Sequence, residues 1–267
     1  MKSMRSAVAR LATMAALLGG VACIDLSVDS DAVGSIEFPP LPNASVFAGD
    51  TLRDTTGAPA PLTAIVYAAD GDVLTDRPVT FLATDTLTHI KDGGFVIGDT
   101  LTFGSTDFVS RLVASVDGLQ SFVRNLAVVP TPDTVFRQGA AVDTIAYSLP
   151  ALASDTSMQL SVMVRSYRAT DTIPVPSVIV TYRLMTFAGA SVPSTDTTRA
   201  FFMVNDAGRI TTIDTTAGGV ASRRLRFRIN QGQAAVDSIQ VLAEVRRGRQ
   251  FVPGSPVVWT VWVQRKQ

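Results

Sequence analysis

The chain has 267 residues, enough for one large domain or two of ordinary size, and its 23 basic and 23 acidic residues cancel. Lys2, Arg5 and Arg10 precede residue 23 and no acid does, so the rest holds 20 basic against 23 acidic residues, a balance with no field to draw nucleic acid or an anionic membrane. The single cysteine, Cys23, excludes an internal disulfide framework and a Cys-based zinc site, and the single histidine, His89, excludes any site that needs two.

The kind of charge points to a fold class. Glu37 and Glu244 are the only glutamates, so the other 21 acids are Asp, and lysine stands only at Lys2, Lys91 and Lys266. Glu and Lys favour helices, whereas Asp favours turns and caps. A chain poor in both and rich in Val and Thr is expected to be all-β.

Residues 1–10 are short and basic, and residues 11–22 are apolar and small. A dozen residues cannot span a bilayer core, which needs about 20. Residues 1–22 therefore read as a secretory signal peptide. Its end, Gly20-Val21-Ala22-Cys23, resembles a bacterial lipobox, with Gly20 where Leu is usual. Gly20 and Ala22 also satisfy the small-x-small rule of ordinary signal peptidase. Both readings cut the same bond, and they differ in whether Cys23 becomes acylated. A free exposed thiol is a liability in an oxidising compartment, which favours lipidation of Cys23. The chain is then exported and held at a bacterial outer membrane or cell surface by its N-terminal lipid; without the lipid it is periplasmic or secreted.

Residues 23–43 read as a tether, with Asp25, Asp29, Asp31, Gly34 and Pro39-Pro40, and a first short strand fits at residues 35–38. Residues 44–130 read as a first unit. Strands are expected at 62–68, 78–82, 95–97, 108–116 and 122–129, broken by turns at Asp70-Gly71-Asp72, Lys91-Asp92-Gly93-Gly94 and Asp117-Gly118. Pro130-Thr131-Pro132 separates this from a second unit at 131–267. There strands are expected at 158–167, 177–187, 209–213, 220–229, 238–245 and 257–263.

Two stretches overlay between the units. Residues 113–123 resemble 242–252, setting Ala114 against Ala243, and residues 77–81 resemble 175–179. A tandem duplication of roughly seven-stranded sandwiches is the economical reading. Both units are similar to bacterial immunoglobulin-like domains of the invasin and intimin kind. The residues that carry this are Asp70-Gly71-Asp72, Pro78-Val79-Thr80-Phe81 and Val113-Ala114-Ser115-Val116-Asp117-Gly118 in the first unit. In the second they are Pro176, Val180-Thr181-Tyr182, the stretch Thr216-Ala217-Gly218-Gly219-Val220-Ala221 and Val241-Leu242-Ala243-Glu244-Val245. The resemblance implies two tandem Ig-like β-sandwiches, without disulfides or shared catalytic residues, that act as spacers or as adhesion and protein-binding modules.

The residues offer little chemistry. Counted from Asp70, the twelfth position of a calcium loop is Phe81, where an EF-hand needs Glu. Asp-Thr pairs recur from 50–51 to 214–215, spread over turns and strand edges rather than gathered. His89 has no Gly-x-Ser-x-Gly partner motif. Neither enzyme activity nor a cofactor is expected. The candidates for binding are Arg224, Arg226 and Arg228, which would share one face of a strand and suit a polyanion, and Trp262. Trp259 and Trp262 are an odd number apart, so one should be core and the other exposed, where it could stack on sugar or cover an interface. The expected partners are the membrane, through the lipid, and an envelope protein or glycan.

Overall fold

The computed structural model describes residues 32–101, 108–148, 155–167, 171–186, 191–192, 201–228 and 238–266. The expected signal peptide, Cys23 and the start of the expected tether lie outside them. Among the described residues every regular element is a strand. The first ten are β1 (Val33–Glu37), β2 (Ser45–Phe47), β3 (Ile65–Ala68), β4 (Val73–Leu74), β5 (Thr80–Ala83), β6 (Thr88–Lys91), β7 (Phe95–Gly98), β8 (Val109–Val116), β9 (Leu119–Gln120) and β10 (Arg124–Val129). The next six are β11 (Thr134–Gln138), β12 (Val142–Tyr147), β13 (Leu160–Tyr167), β14 (Thr172–Pro174), β15 (Ile179–Met185) and β16 (Ser191–Val192). The last six are β17 (Phe201–Val204), β18 (Ile213–Thr215), β19 (Val220–Phe227), β20 (Ser238–Arg247), β21 (Gln250–Phe251) and β22 (Val257–Arg265).

The strands up to β10 form one set of sheets and those from β11 another, and among the described residues no sheet crosses between the sets. In the first set the strands form the sheets β2-β10-β8-β5 and β1-β3-β4 and the hairpin β6-β7. Phe38, Val46, Leu52, Leu62, Val96, Leu112, Leu126 and Val128 form its buried core. In the second, β11-β13-β19-β17 packs on β12-β22-β20-β15-β16 around Trp259, Tyr182, Phe201 and Phe227. Alternation along the strands makes these layers. In β13 the residues Leu160, Val162 and Val164 are buried and their neighbours are not. The protein is thus all-β, two β-sandwiches in tandem.

The two sandwiches share a plan. Each sets an early strand parallel to its last long one, β2 on β10 and β12 on β22. Each then closes with a hairpin that folds back on itself, β8-β9 and β20-β21. The Ser121 N–H donates to Ala114 O as the Val252 N–H does to Val245 O. Ala114 therefore corresponds to Val245 and not to Ala243, a shift of two residues that leaves every side chain on its own face.

Val33–Glu37 is a sheet strand paired with β3, starting two residues before the short strand expected at 35–38, and Phe38 after it is buried. Ile36, Phe38 and Leu41 give this stretch the apolar contacts it needs to pack. The Arg124 guanidinium clamps the end of this strand by donating to Phe38 O from Nε, at 2.8 Å, and from Nη2.

Candidate functional site

The second sandwich receives the end of the first. Val129, at the end of β10, is buried in the second core, and Phe47 and Ala127 pack against it. The Ser45 hydroxyl donates to Ser177 O at 2.6 Å. Ser177 holds that carbonyl in place from a left-handed backbone, φ 59°. Its loop is pinned by buried Thr216, whose Oγ1 donates to Val175 O and accepts from the Val178 N–H. The Thr131 hydroxyl reaches back to Ala48 O at 3.3 Å, so the proline linker lies against the first unit.

Beside this contact the loop of residues 50–58 meets the β20-β21 hairpin. Arg53 is held by Asp50 at 3.0 Å and donates to Gly57 O at 3.1 Å. A Cβ on Gly57 would stand 2.2 Å from Gly248 O, so the two backbones touch where only glycine fits. Glu244, buried, takes Arg246 at 3.2 Å and Arg183 at 3.4 Å. Arg246 also lies over the Phe251 ring, 4.0 Å from its centroid. The cavity left between the units is about 60 Å³, room for water but far below the several hundred Å³ of a small-molecule pocket. The arrangement is a joint.

The arginines of the second unit separate. Arg224, Arg226 and Arg228 alternate with buried Leu225 and Phe227 and so share the outer face of their sheet. Arg224 stands 3.8 Å from Asp206. Arg223 does not join them. It turns to Asp214, at 2.9 Å, donates to Ile213 O, and is almost buried. Arg246 lies at the joint instead, in the hairpin that also carries Arg247 and Arg249. Behind Arg223 the Tyr182 hydroxyl donates to Leu160 O at 3.1 Å. Burial pushes that phenol far above its usual pKa, with Asp214 adding and Arg223 opposing.

Trp259 is fully buried and Trp262 is 46% exposed, on opposite faces of β22 as the odd spacing requires. Around Trp262 the sheet register sets Thr144 on one side and Ser238 on the other. The next row is Val142, Thr260, Gln240 and Met185, and the next Val258, Leu242 and Arg183.

His89 is exposed, with Nδ1 2.8 Å from Asp99 across the β6-β7 hairpin. Asp70 accepts the Asp72 N–H in a turn. Among the described residues no group of three His, Cys, Asp or Glu side chains is placed to hold a metal. Sequence reasoning singled out neither Ser45, Arg53 and Gly57 nor Ser177 and Gly248. Their one visible signal was that both glycines stand in turn-forming stretches.

No protein-family model matches the chain, and no curated protein does. Solved structures resemble it loosely. The adhesin InvE of Yersinia pseudotuberculosis is 17% identical with a TM-score of 0.33, over 85% of this chain and 58% of the adhesin. Domains 1–6 of the surface layer protein SbsC are 12% identical at TM-score 0.30, over 89% of this chain and 29% of that one. The tandem Ig repeats of Dlar are 8% identical at TM-score 0.24, over 88% of this chain and all of that one. The chain thus spans little more than half the length of the adhesin.

Proposed function

We propose that this chain is an exported, lipid-anchored spacer that holds a recognition surface away from a membrane. The observation that carries this is the placing of its two ends. β10 runs from Arg124 toward the second unit, where Val129 is buried. The chain beyond Phe38 runs beside it, as the Ala127 N–H to Ala44 O bond shows. β1 lies behind Arg124, packed beside β9, so the described chain enters at the end remote from the joint. In the second unit β22 starts near the joint and leaves it, ending with the Lys266 N–H on Tyr147 O. Entry and exit therefore lie at opposite ends of a pair locked at its middle, which suits a rod better than a hinge. A lipid on Cys23 would sit at the entry end, and several acyl chains would hold it stably, at about 0.8 kcal/mol per buried CH₂.

Mass spectrometry of the mature N-terminus, from full-length protein made in a bacterial host, tests the anchor. The expected result is an acylated Cys23 with residues 1–22 gone. An unmodified Cys23 would leave an exported soluble rod, and an uncut N-terminus would overturn the export reading. Small-angle scattering of the same chain should fit one elongated particle.

A further inference from the structure

We infer that the outer face of β12, β22, β20 and β15 is a binding platform for neutral glycan, centred on Trp262. The inference names a ligand for the surface that the rod presents, and so it rests on that reading. The outward positions of the four strands form three rows whose register is given above. Their side chains are Thr144, Ser238, Thr260 and Gln240, among Trp262, Val142, Val258, Leu242 and Met185. Val142 is 54% exposed, Trp262 46% and Val258 37%. Charge reaches these rows at their edges, at Arg183 and through Arg137, whose Nη1 donates to Val258 O at 2.9 Å.

The opposite sheet carries charge on its outer face, at Arg224, Arg226 and Arg228, whereas these rows combine neutral polar groups with exposed apolar ones. A pyranose offers the matching chemistry: a patch of C–H bonds for the indole face and a rim of hydroxyls for neutral donors and acceptors. Hydroxyl and amide groups held on adjacent strands are fixed in place before the ligand arrives, which lowers the ordering cost of a multi-point contact. An anionic polymer would find cations only at the edges of this face, away from the Trp262 row. A protein sheet packed face to face would strand the four polar side chains away from water. β22 runs away from the joint, so the face lies on the unit remote from the chain entry.

The test is affinity electrophoresis of the full chain through gels holding hydroxyethylcellulose, xylan, laminarin or galactomannan, with polygalacturonate as the anionic control. Wild type, Trp262→Ala and the double variant Arg224→Ala/Arg226→Ala are compared, each first shown to keep the wild-type melting temperature. Expected is retardation in at least one neutral polymer, weakened at least about tenfold by Trp262→Ala, the size of one lost stacking contact, and unchanged in the arginine variant. Thr260→Val, which keeps the shape and removes a hydroxyl, should weaken it as well. No retardation in any neutral polymer overturns the inference, as does retardation that survives Trp262→Ala. Binding only to polygalacturonate, lost with the arginines, also overturns it, in favour of a polyanion. Concentration-dependent dimerisation abolished by Trp262→Ala overturns it in favour of a second copy. The anchoring and scattering results are independent of these gels, so a rod that binds no glycan removes this inference alone.

Discussion

Thr51, Thr144 and Thr172 each donate their backbone N–H to the Asp before them, at 2.7, 2.8 and 2.7 Å. Asp85 accepts from the Leu87 and Arg111 N–H groups, Asp133 from Tyr167 and Asp214 from Ser222. Most of the described Asp-Thr pairs are thus backbone caps, a task that suits the short Asp side chain better than Glu. Asp54 is the densest case, taking the Thr56 hydroxyl at 2.7 Å and the Thr56 and Ala58 N–H groups. The Thr56 hydroxyl, first, and these N–H groups hold its pKa below the usual 3.8, against an opposing desolvation. A depressed carboxylate stabilises the fold above its unfolded pKa, and that support goes as pH falls through the folded value. The protection of the Ala58 amide, relative to its intrinsic exchange chemistry, should therefore fall below about pH 4, and Asp54→Asn should flatten that dependence; wild-type protection that does not change with pH would refute the cap. Asp155 is the buried counterpart, holding the Ser148 N–H and the Lys266 ammonium at 2.7 Å. Lys266→Ala should cost about 1–2 kcal/mol, less than a fully buried pair because the ammonium is half in water. Urea unfolding measures it.

At the scale of strands, spacing carried far. Parity alone separated Trp259 from Trp262, and the alternation of arginine with Leu225 and Phe227 set the outward face of β19. Overlaying the units in sequence failed by two residues at β20, because the apolar pattern repeats with period two and any even slip preserves it. Hydrogen bonds at the hairpin fix the register, and they leave no trace in composition. The strand Val33–Glu37 was legible only from residue 35 onward, because it is short and its partner β3 lies beyond a long loop. The two tryptophans give a direct comparison. Trp259→Ala should cost about 3–5 kcal/mol, the usual loss for a large core aromatic, whereas Trp262→Ala should stay within about 0.5 kcal/mol. Trp259 Nε1 is buried and finds no acceptor among the described residues. Trp259→Phe removes that unsatisfied donor along with part of the ring, so it should unfold at a urea concentration well above Trp259→Ala.

At the scale of the whole molecule, the sequence marked a boundary at Pro130-Thr131-Pro132 but not what happens there. A proline pair between sandwiches reads as a spacer, yet here Val129 and Phe47 are built into the neighbouring core and Gly57 touches Gly248. Contacts between residues so far apart in the chain have no periodicity to announce them. In the proposed spacer, stiffness at the joint would turn two sandwiches into a rod, and glycine is where it can be broken. Gly57→Ala would put a methyl 2.2 Å from a backbone oxygen, which no rotamer can relieve, so the loop and hairpin must part. The substitution also strains a left-handed residue, φ +86°, and that cost must be separated. Gly71 supplies the control: its φ is +97° and a Cβ there meets nothing within 4 Å. Both variants should lose about 1–2 kcal/mol locally from the left-handed backbone. Gly57→Ala alone should change the scattering profile, from one rigid elongated particle to a spread of bent ones, while Gly71→Ala scatters as wild type. Equal profiles for all three would mean that the units hold together through Val129 and Ser45 without the glycine contact, and Ser45→Ala in the Gly57→Ala background would then be the change that loosens them.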